Sequence, residues 1–356
     1  MHFTKWLANT DAPVLWALWQ RQALTRRALG EQLSLSRPTV ERALQHLIDH
    51  GLITEVDAAS PTRGRPAKRF GVRPDAWATL GMDLELPEIN LVLSDATGEI
   101  VQREAFEIRQ DLANPRQVLD RLADRMQGWL AESGTALERI AGLGIGIPGF
   151  LTPTGVSFVG RNLPKWEQVP VKEYLEDRLG FPVLLQHDVH LMAQAEIAEC
   201  GSREGLALFV SVRPGLDEDL RIGAAICMNG RVFSGGHGNG GALYRAVIDP
   251  GPLTPLGGSE RVERIAMQLA ESLIHAIPLI DPNRIVIHAE CLGGAESELI
   301  DRCRTAIEDA MRGEYVGGAE ISSARIRDAS GAHQAAVSVT RHLLRRAATP
   351  EVERIT

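Results

Sequence analysis

The sequence predicts an α/β protein: a small helical head closed by a β-hairpin, then a larger body built from two similar halves. Three observations predict it. Between Pro13 and Gly51 apolar residues recur at helical spacing in three short blocks, and two brief apolar-polar alternations follow. From Trp77 onward a β-β-β-α-β-α order runs through once and then restarts. Charge divides the chain at the same place, because residues 1–80 carry 11 Lys/Arg against 7 Asp/Glu, or +4, leaving −12 for the rest of a chain whose net charge is −8.

A basic head on an acidic body suggests nucleic-acid contact at one end. With 356 residues, 44% hydrophobic and 24% charged, the chain can fill two or three separate cores. The opening MHFTKWLANT has neither the charged start nor the cleavage site of a signal peptide, and the apolar run Ala12 to Trp19 is interrupted by Pro13 and too short to cross a bilayer. A cytoplasmic protein without a membrane anchor is expected. Cys200, Cys227, Cys291 and Cys303 form no C-x-x-C pair, so buried free thiols are expected rather than a redox or zinc motif.

In the head, residues 1–75, the blocks are Val14, Leu15, Leu18; Ala28, Leu29, Leu33; and Val40, Leu44, Leu47, Ile48. Thr25 is placed to cap the second helix and Ser36 the third, where Pro38 falls in the first turn and needs no N–H partner. Ser34-Leu35-Ser36 leaves room only for a sharp turn, which makes a helix-turn-helix. Leu52 to Val56 and Lys68 to Val72 read as the strands of a wing, joined by a basic loop centred on Arg63-Gly64-Arg65-Pro66.

A winged helix-turn-helix sets its third helix in the major groove of double-stranded DNA, and an Arg-Gly-Arg-Pro loop suits a narrow minor groove. The expected DNA contacts are Ser36, Arg37, Thr39, Arg42 and Gln45 on the third helix, and Arg63, Arg65, Lys68 and Arg69 in the wing. A protein-binding module with a solvated basic loop is the alternative.

The body opens with strands Leu80 to Leu86, Ile89 to Ser94 and Ile100 to Ile108, then a helix from Asn114-Pro115 to about Glu132 and a strand from Ile140 to Ile147. A helix from Val171 to Leu179, a strand from Val183 to Gln186 and a helix after Asp188 complete residues 76–200. Residues 201–356 repeat the order with Leu206 to Val212, Ile222 to Met228, Val232-Phe233, helix 259–275, strand 284–288, helix 294–312 and a C-terminal helix. Two such halves predict a duplicated ribonuclease H-like, actin-like fold with a ligand cleft between them.

Gly142-Leu143-Gly144-Ile145-Gly146-Ile147-Pro148-Gly149, then Asn162-Leu163-Pro164-Lys165-Trp166, then Gln186-His187-Asp188 carry a family resemblance. In order and spacing they resemble the landmarks of the ROK family, whose name joins repressors and sugar kinases. The winged head with its Arg-Gly-Arg-Pro loop is similar to that of the repressor branch. The resemblance implies a sugar-kinase-like, ATPase-type fold, with Asn162 and Asp188 bonding sugar hydroxyls and Asp188 matching the base that activates the accepting hydroxyl in the kinases.

Departures from the family pattern imply a regulator without phosphotransfer. The family's first phosphate loop, D-x-G-G-T, is here Asp83-Leu84-Glu85-Leu86-Pro87, which keeps the Asp and adds bulk and negative charge. The second, G-T-G-I-G, is Arg213-Pro214-Gly215-Leu216-Asp217-Glu218-Asp219, whose three acids repel a polyphosphate. The G-G-G run near the adenine is His288-Ala289-Glu290, and the zinc motif has lost its cysteines.

Neither a cofactor nor a metal is expected, and no catalytic residue. Ala242 and Arg245 stand where a sugar-contacting Glu and His would be; the expected effector is a sugar, sugar phosphate or sugar acid, and an Arg facing it favours the last two, the alternative being that Arg245 pairs with a neighbouring acid. With Asn162, Asp188 and Arg245, His190 and His237 are the candidate ligand contacts, and the glycine run Gly235 to Gly241 is either a ligand-gated loop or a packing turn.

The expected function is a transcriptional repressor whose sugar-kinase-like domain senses a carbohydrate, acting on an operator as a homodimer or a dimer of dimers. A sugar kinase with an accessory basic head, and a ligand-independent DNA-binding factor with a vestigial cleft, are the alternatives.

Overall fold

A computed structural model of the protein describes residues 10–56, 67–110, 112–151, 157–158, 163, 165–166, 169–201, 204–214, 220–241, 243, 247–248, 258–311, 318–327 and 330–348. In the head, α1 (Asp11–Arg21), α2 (Arg26–Leu33) and α3 (Arg37–Asp49) pack Val14, Leu15, Leu18, Leu29, Val40, Leu44 and Leu47 into one core. Both predicted caps form. The Thr25 hydroxyl accepts the Ala28 N–H at 3.2 Å and the Ser36 hydroxyl accepts that of Thr39 at 3.4 Å. Ser34, in the left-handed region at φ 54°, turns the chain between α2 and α3.

The wing has one strand more than the sequence suggested. β1 (Leu24–Thr25) joins β2 (Ile53–Val56) and β3 (Arg69–Val72) in the order β1-β3-β2. Two residues are too few to carry a period, so only their pairing with Phe70 and Arg69 reveals the strand.

The first half of the body contains β4 (Ala78–Glu85), β5 (Glu88–Asp95), β6 (Ile100–Glu107), α4 (Pro115–Ser133) and β7 (Ile140–Ile147). A short hairpin, β8 (Phe150–Leu151) and β9 (Ser157–Phe158), then leads to α5 (Val171–Leu179), β10 (Val183–His187) and α6 (Asp188–Cys200). The second half has β11 (Leu206–Pro214), β12 (Leu220–Met228), β13 (Arg231–Val232), β14 (Val247–Ile248) and α7 (Gly258–Ile280). It ends with β15 (Arg284–His288), α8 (Glu296–Ala310), β16 (Glu320–Ser323) and α9 (Ser330–Ala348).

The sheets run β10-β7-β4-β5-β6 and β13-β12-β11-β15-β16, with β14 added on β12. Counted from the first strand of each half, both have the order 3-2-1-4-5, so the repeat expected from the sequence is a repeat of topology. Two apolar cores match them, one around Leu80, Met82, Leu122 and Ile145, the other around Val210, Ile222, Leu269 and Ile287.

The C-terminal helix corrects the sequence reading, which assigned it to the second half. α9 lies on β4, β7 and β5 of the first sheet and on α6. Glycines permit it, because a Cβ added at Gly81 or Gly144 would overlap the backbone carbonyls of Ala332 and Ala335. The small side chains of Ala332, Ala335 and Ala336 complete the close approach. Where β10 runs into α6, α9 also ties to the strand end, with Ser338 donating to Gln186. Further along, α9 meets α1, and Leu344 is fully buried in the head core beside Trp77. The Trp77 indole N–H donates to the Thr340 hydroxyl at 3.2 Å and that of Trp19 to the Ala96 carbonyl at 3.1 Å, so head and body share one packed seam.

Among the described residues no helix is long and apolar enough to cross a membrane. The free cysteines Cys227 and Cys303 are buried, Cys200 is half-buried and Cys291 is exposed.

Candidate DNA-binding face and ligand cleft

α3 buries Val40, Ala43, Leu44 and Leu47 and leaves Arg37, Glu41, Arg42 and Gln45 exposed on its outer face. The helix is held to α1 by the His46 imidazole, whose Nδ1 lies 2.6 Å from the almost fully buried Asp11 carboxylate. Arg37 and Arg42 are exposed; Ser36 and Thr39 share a 2.7 Å hydroxyl contact at the cap, and Gln45 donates to Asp49 at 2.8 Å. On the hairpin, Lys68 is exposed and pairs with Glu55 at 2.8 Å. Half-buried Arg69 donates to the Ala23 carbonyl at 2.8 Å, which directs its guanidinium at the base of the wing. Arg63 and Arg65 lie outside the described residues.

Sequence reading passed over Arg26 on this face. Its guanidinium sits 4.6 Å from the centre of the Phe70 ring and 3.6 Å from Glu41, joining α2, α3 and the wing. The signal was an Arg at the first position of α2, indistinguishable in sequence from its neighbour Arg27.

In the body, Asp188 opens α6 at the C-terminal end of β10, where the chain leaves the first sheet for the second half. Asp188 and His190 come together, and both are buried. The Asp188 Oδ1 accepts the Val189 N–H at 2.7 Å and lies 2.9 Å from His187 Nδ1. Burial opposes ionisation of Asp188, yet His187 and then Arg213 outweigh it and hold the carboxyl at about 2. The His190 ring stacks on His187 with centroids 5.1 Å apart, and its Nε2 is 2.7 Å from the Gly240 carbonyl. Burial, followed by the charge of His187, lowers its pKa below the ordinary value.

His237 is exposed on the glycine run. That run is tethered across the cleft by Asn239, a residue the sequence reading missed: its side-chain amide accepts the Leu151 N–H and donates to the Leu151 carbonyl, both at 3.0 Å. Asn162, Ala242 and Arg245 lie outside the described residues, as do Asp217, Glu218 and Asp219.

The first phosphate position holds a cation of the protein's own. Asp83 and Glu85 are the last residues of β4 on one side of the cleft, and Leu86-Pro87 is a two-residue turn into β5, with Leu86 fully buried. Where the family resemblance puts a glycine loop, this chain has continuous strand up to Glu85. From the other half, Arg213 near the end of β11 reaches over, with Nη2 2.7 Å from Asp83 and Nη1 3.2 Å from Glu85 and 3.5 Å from Asp188.

The sequence reading found added negative charge at this position; the structure adds that Glu85 is paired with Arg213. Burial pushes the Asp83 carboxyl up against the pull of Arg213, and its carboxylate neighbours raise it further. The guanidinium stays charged, because the three carboxylates outweigh the cost of burying it. At the adenine position, His288 is buried with Nε2 3.5 Å from Glu290. Among the described residues no group of three or more His, Cys, Asp or Glu could hold a metal ion.

Residues 79–250 match the model of the ROK family, and residues 7–57 that of the MarR family. A putative xylose repressor of Caldicellulosiruptor sp. is 27% identical over 239 residues, an alignment covering 66% of this chain and 58% of that protein. Among solved structures, a ROK family transcriptional regulator described as a homologue of the E. coli MLC protein superposes with a TM-score of 0.70 at 19% identity, over 96% of this chain and 98% of the other. A ROK hexokinase from Thermus thermophilus gives 0.55 at 22%, over 76% of this chain and 99% of the other, so the head lies beyond the kinase likeness. Residues 79–250 form a ROK family domain of sugar-kinase-like fold, and a MarR-type winged helix-turn-helix precedes it.

Proposed function

We propose that the protein is a DNA-binding transcriptional repressor whose body senses a carbohydrate-type molecule and performs no phosphotransfer. It works in the cytoplasm as a homodimer or a dimer of dimers, each head reading one half-site. Arg213 carries this reading. A guanidinium among Asp83, Glu85 and Asp188 fills with fixed positive charge the place where the family's kinases bring Mg²⁺, phosphate and the accepting hydroxyl together. It also competes for Asp188, the residue matching the kinase base.

Signal transfer follows the packing. Asp188 starts α6, α6 packs on α9, α9 packs on α1, and α1 is bound to the recognition helix through Asp11 and His46. A sugar bonded to Asp188 moves α6 relative to the second half and thereby shifts the head. The repressor named among the relatives and the regulator among the solved structures support the same reading.

Thermal unfolding against sugars, sugar phosphates and sugar acids, each with and without Mg-ATP, tests it. Stabilisation by one carbohydrate and none by Mg-ATP is expected. Strong stabilisation by Mg-ATP together with sugar phosphorylation would establish the kinase reading instead.

A further inference from the structure

A second concave site lies away from the cleft. A groove of about 630 Å³ opens between α5, the start of β10 and the last turns of α9, lined by Lys172, Glu176, Val183, Leu184, His342 and Arg346 among others. Leu184 precedes Asp188 by four residues on β10, which separates groove and cleft by roughly 13 Å along the strand.

We propose that this groove is an anion site for a phosphate monoester, held by Lys172 from α5 and by His342 and Arg346 from α9. Its volume falls in the range of small-molecule sites, about 300–1,000 Å³. The charges on its wall match that ligand. Lys172 and Arg346 are permanent cations brought to the groove by two elements, α5 and α9. The single acid of the lining, Glu176, has its Oε1 fixed by the Val183 N–H at 2.9 Å, at the wall of the groove.

His342 makes no hydrogen bond among the described residues. All three line the one groove, and burial, then the charge of Arg346, then that of Lys172 keep the His342 pKa below the ordinary value. An anion of charge near −2 offsets those charges and gives His342 a reason to protonate. Val183 and Leu184 of β10 add no charge.

Leu343 lines the groove and packs against the head core, and Leu344 is buried in that core. An anion here therefore stiffens the stretch of α9 that supports α1. Anion binding itself stands independently of the regulator reading.

The test uses the full chain, with hexose 6-phosphate, inorganic phosphate and the free hexose as probes, in wild type, Lys172→Ala/Arg346→Ala and the cleft variant Asp188→Asn. Calorimetric titration is expected to show the phosphate ester binding wild type and Asp188→Asn alike, and binding the double variant at least about tenfold more weakly. The imidazole signals of His342 in wild type are expected to move toward the protonated form as the ester is added. Undiminished binding in the double variant with unmoved His342 signals overturns the proposal, and so does loss of binding in a folded Asp188→Asn, which would assign the ester to the cleft.

Discussion

Arg213 joins the two halves of the body through one half-buried side chain, and its removal isolates three buried carboxylates at once. Arg213→Met is expected to destabilise the fold by about 3–5 kcal/mol, the usual cost of leaving buried charge unpaired. Urea unfolding measures it, and Arg213→Met/Asp83→Asn/Glu85→Gln, which removes the orphaned charge as well, is expected to recover most of the loss. A second residue-scale effect is titration. The folded pKa values of His190 and His342 lie below the ordinary value of 6.5, so between those values and 6.5 the unfolded chain binds more protons than the native protein. Their contribution to stability is whole above 6.5 and is lost as pH falls through the folded values. Melting temperature followed from about pH 8 to 5 should therefore decline at the acid end, and His190→Gln/His342→Gln should flatten that decline. Sequence named Asp83, Asp188 and His190 because each sits in or beside a recognisable motif. It gave no sign of Arg213 as the partner of Asp83 and Asp188, since these stand 130 and 25 positions away and only the fold joins them.

Capping and glycine packing govern the elements. Ser36→Ala removes an acceptor for the Thr39 N–H at the start of the recognition helix and is expected to lower stability by about 1 kcal/mol, read from the denaturation midpoint. Gly144→Ala drives a methyl group into the backbone of α9, and a cost of about 1–3 kcal/mol or more is expected from overpacking at a rigid contact. Because α9 also supports the head, the same variant should increase hydrogen exchange in α1, whereas Ser36→Ala should leave α9 unchanged. Most element types and many bounds were legible: β7 and α5 fall where the patterns placed them, and α4 opens at the Asn114-Pro115 pair as read. β1, β8, β9, β14 and β16 were missed, being two to four residues long. The glycines of β7 were read as a family landmark, while their packing role depends on a helix nearly two hundred residues downstream.

At the scale of the molecule, the duplication was legible because both halves repeat the same order of strands and helices. Their exchange of a helix was not: a period says which face of α9 is apolar, not which sheet receives it. The seam between head and body, built by Trp19, Trp77 and Leu344, was equally hidden, as was the Asn239 tether that crosses the cleft. Such a seam lets a change at Asp188 reach α3 through packed helices. The measurement that tests the central claim most directly is fluorescence anisotropy of a duplex enriched from a random pool by the protein, titrated over salt and over the sugar that stabilises the fold. The account predicts sequence-selective binding that weakens linearly in log–log form with salt, falls in Arg37→Ala/Arg42→Ala, and changes when the sugar is added. Binding that is indifferent to sequence, to those arginines and to every sugar would contradict it.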